Sequence, residues 1–479
     1  MPAPLTPSLL HQTLRAVARR YRLPELPGAA PDLPESDPAT ALAIAIEQTR
    51  ACLARGDAPD EATRRLFIEA LAHLIRYALR EPNGDPVFQA MVLRHRTPRV
   101  REHAALGTHA SRDRRAVRTA VDALAHPGKR RSLAPGPVND ALAQLHAAAA
   151  AASWAALSDC AGRMLAMPGA TLDAPLRQGL AQLLDDPALA RLMRLDALAS
   201  DPLVRRYQAL WDRQGPRPGS TEAAEQGAQS RRRGDAVEAM AATTLDAWAR
   251  LLAQDEGKPF RVATSLRVPS SMPGDPERAK TEWDVALLRR SGDVDGDADG
   301  DADGDADGDA VAAAAWDVCL LVEAKASVDA ATTDLPRLLR GLRLLANADA
   351  DTVYPFDCRQ GVVRLHGASL SALKTDDAGL AATVLYFCDA PAEASPRLLG
   401  AASRMQLLSA PASLDFASRL ADGQAAQPQE LEPVWLQLME SPRWSAVLNQ
   451  YPMLRQVREL MVHPDDLRDA IDIASRPAA

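Results

Sequence analysis

Aromatic residues are scarce, at 4% of the 479 residues, so any core must be assembled from Leu, Val and Ala. Lysine is scarcer still: of 55 basic residues only Lys129, Lys258, Lys280, Lys325 and Lys374 are lysine. The five cysteines (Cys52, Cys160, Cys319, Cys358, Cys388) are scattered and form no C-x-x-C. A zinc ribbon and a disulfide framework are therefore not expected, and a reducing compartment fits. No apolar run approaches the roughly 18 residues that would span a bilayer. The longest candidate, Ala147 to Leu157, is mostly alanine. An integral membrane protein is not expected, and without a secretory apolar region the cytoplasm is the default location. Arg15, Arg19, Arg20 and Arg22 before Pro24 have a faint transit-peptide look, but a short amphipathic helix accounts for them equally well. No phosphate loop, G-x-G-x-x-G, H-E-x-x-H or G-x-S-x-G occurs, which removes the commonest nucleotide-binding, zinc-protease and serine-hydrolase signatures.

What is present is a composition typical of globular proteins, 47% hydrophobic and 25% charged, in a chain long enough for two to four domains. The formal net charge of −8 is more than accounted for by the nine aspartates of Asp293–Asp309. There Asp297-Ala298-Asp299-Gly300 repeats in register. Such spacing resembles the first half of a calcium loop, but it lacks a Glu at the twelfth position and helical flanks. Ca2+ is disfavoured there, and an expanded, self-repelling loop is expected. Between Arg94 and Arg131 the balance is reversed, with eleven basic residues against three acids. Arg112, Arg114, Arg115 and Arg118 form the densest part. They read as a solvated helix face or as a nucleic-acid contact.

Hydrophobic periodicity organises the chain. Residues 1–215 read as an all-helical region. Leu66, Ile68, Leu71, Leu74, Ile75 and Leu79 recur at helical spacing, and a Pro-Asn-Gly-Asp-Pro stop follows at Pro82–Pro86. Residues 216–224 read as a linker. From 225 to 390 the pattern becomes α/β. A helix over Arg231–Leu252 is followed by strand-like runs at Phe260–Val268, Thr281–Leu288 and Trp316–Lys325. A helix over Leu335–Ala346 comes next, then runs at Gly361–His366 and Ala382–Cys388. The Asp/Gly insert, residues 291–311, separates the second and third runs. Residues 391–479 return mainly to helix. The expected class is thus α+α/β: a helical N-terminal region, a central α/β domain (helix, three strands, helix, strands) and a helical C-terminal region.

The residues that carry chemistry lie in the α/β segment. Val318-Cys319-Leu320-Leu321-Val322 is apolar on both faces, as in a covered central strand, and runs into Glu323-Ala324-Lys325. Alternation sends Glu323 and Lys325 to one side. If the strand holding Asp284 pairs with it across the insert, two carboxylates meet beside an ammonium. Mg2+ is commonly held by one or two carboxylates completed by water and phosphate oxygens. Lysine at 325, in a chain that otherwise uses arginine, suits a site needing a compact amine. A second Glu-x-Lys at Glu256-Gly257-Lys258 follows no strand and is set aside.

On these residues, Asp284 on the second strand, Glu323-Ala324-Lys325 on the third and Glu238 on the first helix, the segment resembles the PD-(D/E)xK nuclease superfamily and its restriction-endonuclease-like fold. The resemblance covers about residues 225–390. Trp283 rather than Pro precedes Asp284, and the second helix lacks the Gln-x-x-x-Tyr of the RecB-like branch. The resemblance implies Mg2+- or Mn2+-dependent phosphodiester hydrolysis, with DNA as the expected substrate. Asp284 and Glu323 would ligate the metal with the Ala324 carbonyl, and Glu238 would act through water or a second metal. Lys325 would position or help deprotonate the attacking water and offset charge building on the phosphate. Arg337, Arg340 and Arg343 on the following helix could hold the nucleic-acid backbone.

Two other readings stand beside it. In one, a nuclease-like scaffold without activity binds nucleic acid or protein. In the other, a helical scaffold or regulator meets a protein partner through its helical regions, and the charged residues are surface ion pairs. Oligomeric state, pathway and the role of the helical half are not legible in the sequence.

Overall fold

The computed structural model describes residues 8–26, 37–168, 172–216, 219–291 and 315–475. The chain groups into two compact units. One comprises Met1–Leu71, Pro218–Gln406 and Trp435–Ala479, the other Ala72–Arg217 and Leu407–Val434. No helix among the described residues is long and apolar enough to cross a membrane.

This grouping differs from the linear division 1–215, 216–224, 225–390 and 391–479. Helix Leu9–Ala16 belongs with the α/β unit because Leu10, Leu14 and the following Val17 join one buried cluster with Trp248, Leu320 and Phe387. Tyr21 Oη donates to the Cys388 carbonyl at 2.8 Å, and Arg20 pairs with Asp466. Residues 391–479 are likewise divided between the two units. The 216–224 linker also yields part of its length to helix. Ser220 Oγ accepts from Ala223 N at 3.1 Å, and helix Thr221–Glu256 starts there, ten residues before the periodicity suggests.

The α/β unit is built on seven strands: β1 (Phe260–Arg267), β2 (Glu282–Arg290), β3 (Ala315–Lys325), β4 (Val353–Cys358), β5 (Gly361–His366), β6 (Val384–Cys388) and β7 (Met461–Val462). β1, β2 and β3 form an antiparallel meander. β6 lies parallel to β3 and β7 parallel to β6. Alternation along β3 divides the apolar residues between two layers. Leu320 and Val322 face Ala241, Leu245 and Trp248 of helix Thr221–Glu256. Leu321 faces Leu335, Leu338, Leu342 and Leu345 of helix Val328–Ala346. β6, Val-Leu-Tyr-Phe-Cys, is buried throughout, as a parallel strand covered on both faces must be. Helix Val328–Ala346 begins seven residues before its leucine stripe, because Ser327 caps it through Ala330 N.

The architecture is mixed α+β, and one feature departs from the open sheet implied by the resemblance. Hairpin β4–β5, inserted between the second helix and β6, pairs with β3 at Ala315–Arg364 and Trp316–Leu365. It also reaches β1 at Arg267–Asp357. The order β2-β1-β4-β5-β3, with β2 again on β3, therefore closes five strands into a ring. β2 and β3 stay paired as far as Arg290 and Trp316. The 291–311 insert, with its calcium reading, lies outside the described residues except for Ser291.

In the other unit, aspartate and proline set the helix starts. Asp85, Asp186 and Asp201 each precede a proline and accept a backbone N–H from the first turn of helices Pro86–Arg96, Pro187–Ala199 and Pro202–Asp212. Val117 and Val121 of the long helix Pro98–Ala125 pack with Leu142, Leu145, Trp154, Leu157, Leu180 and Leu192.

Candidate active site

The β2–β3 register sets Val285 against Val322 and Ala286 against Leu321. One residue further along, Asp284 stands opposite Glu323. The Ala324 N–H donates to Asp284 Oδ2 at 2.8 Å, so the aspartate is fastened to the third strand. Glu323 is fully buried. Its Oε2 receives Lys280 Nζ at 2.6 Å and Lys325 Nζ at 3.2 Å. Its Oε1 has neither solvent nor a hydrogen-bond partner among the described residues. Burial pushes the Glu323 carboxyl up to about 7, and Asp284 adds to this, while the two ammonium groups oppose it.

Lys325 also reaches Asp334 Oδ2 at 3.3 Å. Burial works against its charge, but Glu323, Asp334 and Asp284 outweigh burial and hold its pKa above the ordinary lysine value. Lys325 is thus a fixed ammonium, suited to stabilising negative charge and unsuited to accepting a proton. That charge suits the offsetting of negative charge on a phosphate.

Glu238 approaches from helix Thr221–Glu256. Its Oε1 forms an ion pair with Arg359 Nη2 at 3.2 Å and accepts from Ser265 Oγ at 3.5 Å. Burial raises its carboxyl, Arg359 opposes this, and Asp284 raises it further. The structure therefore gathers Glu238, Asp284, Glu323 and Lys325 at one end of β3. Ser265, between the pairs Thr264–Val285 and Leu266–Trp283 on β1, has φ +51°, a left-handed conformation that costs a non-glycine residue about 1–3 kcal/mol. The β4–β5 tip docks beside it. Arg359 N donates to the Thr264 carbonyl at 2.9 Å, and the Gln360 side chain both accepts from Thr264 N and donates to its Oγ1.

Several participants escape the sequence pattern. Lys280 is buried, stands 5.9 Å from the centre of the Trp283 ring and comes from the segment before β2. Helix Val328–Ala346 holds it: Lys280 N donates to the Arg337 carbonyl, and Gly341 leaves the room that the Lys280 backbone occupies. The rarity of lysine, which singles out Lys325, marks Lys280 equally. Asp334 and Tyr386 carry no comparable signal. Tyr386, opposite Glu323 in the β3–β6 register, donates to Asp334 at 3.4 Å. Its hydroxyl is pushed far above the ordinary range by burial and then by Asp334 and Glu323.

Arg337, Arg340 and Arg343 are exposed on their helix. Arg340 Nε is engaged with the Arg278 carbonyl at 2.9 Å and so helps secure the Lys280 segment. Arg112, Arg114, Arg115 and Arg118 are exposed on helix Pro98–Ala125 in the other unit. Asp113 between them is buried and paired with Arg191 at 2.7 Å.

No group of three or more His, Cys, Asp or Glu suited to a metal is found among the described residues. The donor set is sparser, Asp284 and Glu323 with the Ala324 carbonyl. Two carboxylates and a carbonyl are nevertheless the kind of donor a hard dication takes. The unpartnered Glu323 Oε1 is an acceptor that such an ion would satisfy; a proton placed there would have no acceptor in its turn. Searches of protein families, curated proteins and solved structures found no match to this chain.

Proposed function

We propose that this chain is a Mg2+- or Mn2+-dependent nuclease that hydrolyses phosphodiester bonds of DNA, with a PD-(D/E)xK-like core. The observation that carries the reading is the buried, unpartnered oxygen of Glu323, beside Asp284 and Lys325. Supporting it are the succession of helix, antiparallel β1–β2–β3, helix and parallel β6, and the arrival of Glu238 from the first helix. In this reading the β4–β5 hairpin is an insertion that closes an otherwise open sheet.

Asp284, Glu323 and the Ala324 carbonyl would hold the metal, which when bound supplies a polarised water and neutralises phosphate charge. The Lys325 ammonium offsets negative charge building on the phosphate. Asp334 and Tyr386 keep that ammonium in place, and Arg359 compensates Glu238. Arg337 and Arg343 are free to meet a phosphate backbone, and the arginines of helix Pro98–Ala125 offer a second, sequence-independent contact. The cytoplasm is the proposed compartment, on the scattered, unpaired cysteines.

The test is cleavage of supercoiled, linear and single-stranded DNA with Mg2+ or Mn2+, beside Lys325→Ala and Asp284→Ala. Activity that both substitutions reduce by about 100-fold or more supports the reading. Equal cleavage in all three proteins, or none in any, overturns it. One observation favours a metal-free binding module instead: Lys280 and Lys325 already balance Glu323. Calorimetry of Mn2+ binding separates the two, since the module would bind DNA without taking up the ion.

A further inference from the structure

At the opposite end of β3 from Glu323 lies a cavity of about 920 Å3, lined by helix Leu9–Ala16 and its continuation and by the starts of β3 and β6. Four residues of strand separate Cys319, in its wall, from Glu323, or about 13 Å. It is therefore distinct from the cluster of carboxylates and ammonium groups described above.

The charge around this space is uneven. Arg289 is balanced by Glu256 at 3.3 Å and Asp317 at 3.8 Å. Arg15, Arg22 and Lys374 line the cavity with no ion pair among the described residues. Arg19 is set deeper. Its Nη2 donates to the Leu14 carbonyl at 3.1 Å, while Nη1 is shut off from solvent without a hydrogen-bond partner. Burial and the neighbouring Arg22 lower its pKa, and Glu459 opposes this only in part. Nη1 is a donor left unsatisfied behind the cavity wall, which an acceptor meets once the Arg19 side chain turns toward the cavity. The rest of the wall includes apolar surface from Leu10, Leu14 and Phe260. The volume suits a ligand much larger than one phosphate.

We propose that this cavity binds a nucleotide-sized polyphosphate anion, its phosphate oxygens taken by Arg19, Arg22, Arg15 and Lys374. The shared chemistry is a chain of phosphates, which a nucleoside triphosphate and free inorganic triphosphate both offer. The site stands independently of the nuclease reading.

The experiment is calorimetric titration of the full chain at low ionic strength, without added metal, using ATP, inorganic triphosphate, adenosine and a DNA oligonucleotide. The proteins are the wild type, Arg22→Ala/Lys374→Ala, Arg19→Met and Lys325→Ala. Both triphosphates should bind with one site, and adenosine should give no heat. The exposed double substitution should weaken binding by about tenfold or more, and Lys325→Ala should leave it unchanged. Tighter binding of ATP than of triphosphate assigns the apolar wall to a nucleoside; equal binding assigns the site to free polyphosphate. No heat with either anion on the wild type would overturn the proposal. So would affinity unchanged in the double variant, or binding confined to an oligonucleotide. Because Arg22 and Lys374 are exposed, their substitution keeps the test meaningful even if Arg19→Met fails to fold.

Discussion

Replacing Lys280 with Met should destabilise the α/β unit in a way that depends on pH. Lys280 Nζ lies 2.6 Å from a carboxylate with no exposed surface. Removing one member of a buried pair typically costs about 3–5 kcal/mol. Here Lys325 remains 3.2 Å from the same oxygen, so a loss of about 2–3 kcal/mol is the expectation at pH 8. The sign of the pH dependence follows from Glu323. Its carboxyl stands at about 7 against an ordinary 4.5, so the folded state holds a proton that the unfolded state has released. That mismatch costs folding about 3 kcal/mol above pH 7, and the cost fades as pH falls toward 4.5. Without Lys280 the carboxyl rises further and the cost at high pH grows. Urea unfolding of the full chain at pH 5 and pH 8 should therefore show the larger loss at pH 8. Lys280→Met/Glu323→Gln, which removes both charges, should recover most of it. An equal loss at both pH values, or no recovery in the double variant, would refute the electrostatic argument and leave only the missing packing against Trp283.

Other outcomes follow from neighbouring residues. A Cβ at Gly341 would meet the Lys280 carbonyl oxygen at 2.7 Å and its Cβ at 2.8 Å; Gly341→Ala should cost about 1–3 kcal/mol in urea unfolding and depress cleavage by moving Lys280. Ser265→Gly relieves a left-handed backbone at φ +51° and should raise stability by up to about 1 kcal/mol, read as a higher melting midpoint. Lys325→Arg, which keeps charge but not shape, should not rescue the activity lost in Lys325→Ala, because a planar guanidinium cannot meet Glu323 and Asp334 as the ammonium does. Neutralising Arg112, Arg114, Arg115 and Arg118 together should weaken DNA binding and lower its salt-dependence slope by about one for each phosphate that is no longer neutralised.

The part of the site carried by strand alternation was legible in the sequence. Once Val318–Val322 is seen as apolar on both faces, Glu323 and Lys325 must share a side, and a meander brings Asp284 to them. Strand β4 was not legible, because Pro355 inside Val353–Cys358 cannot donate to a ladder and argues against a strand. Two-residue β7 leaves no periodic trace. Lys280 and Asp334 reach Glu323 and Lys325 through the packing of helix Val328–Ala346, a tertiary fact that no local pattern encodes. The amphipathic stripe of Leu9–Ala16 likewise predicts burial without naming the surface that provides it. The grouping of distant chain segments into two compact units is likewise absent from any local pattern.

The pairing of Arg290 with Trp316 has a consequence for net charge. β2 and β3 pair as far as Arg290–Trp316, and each doubling of the length of a flexible connection costs about 0.6 kcal/mol in closure entropy. Each Asp-Ala-Asp-Gly unit gained or lost is thus a step of two in net charge, taken outside the residues that pair in β2 and β3.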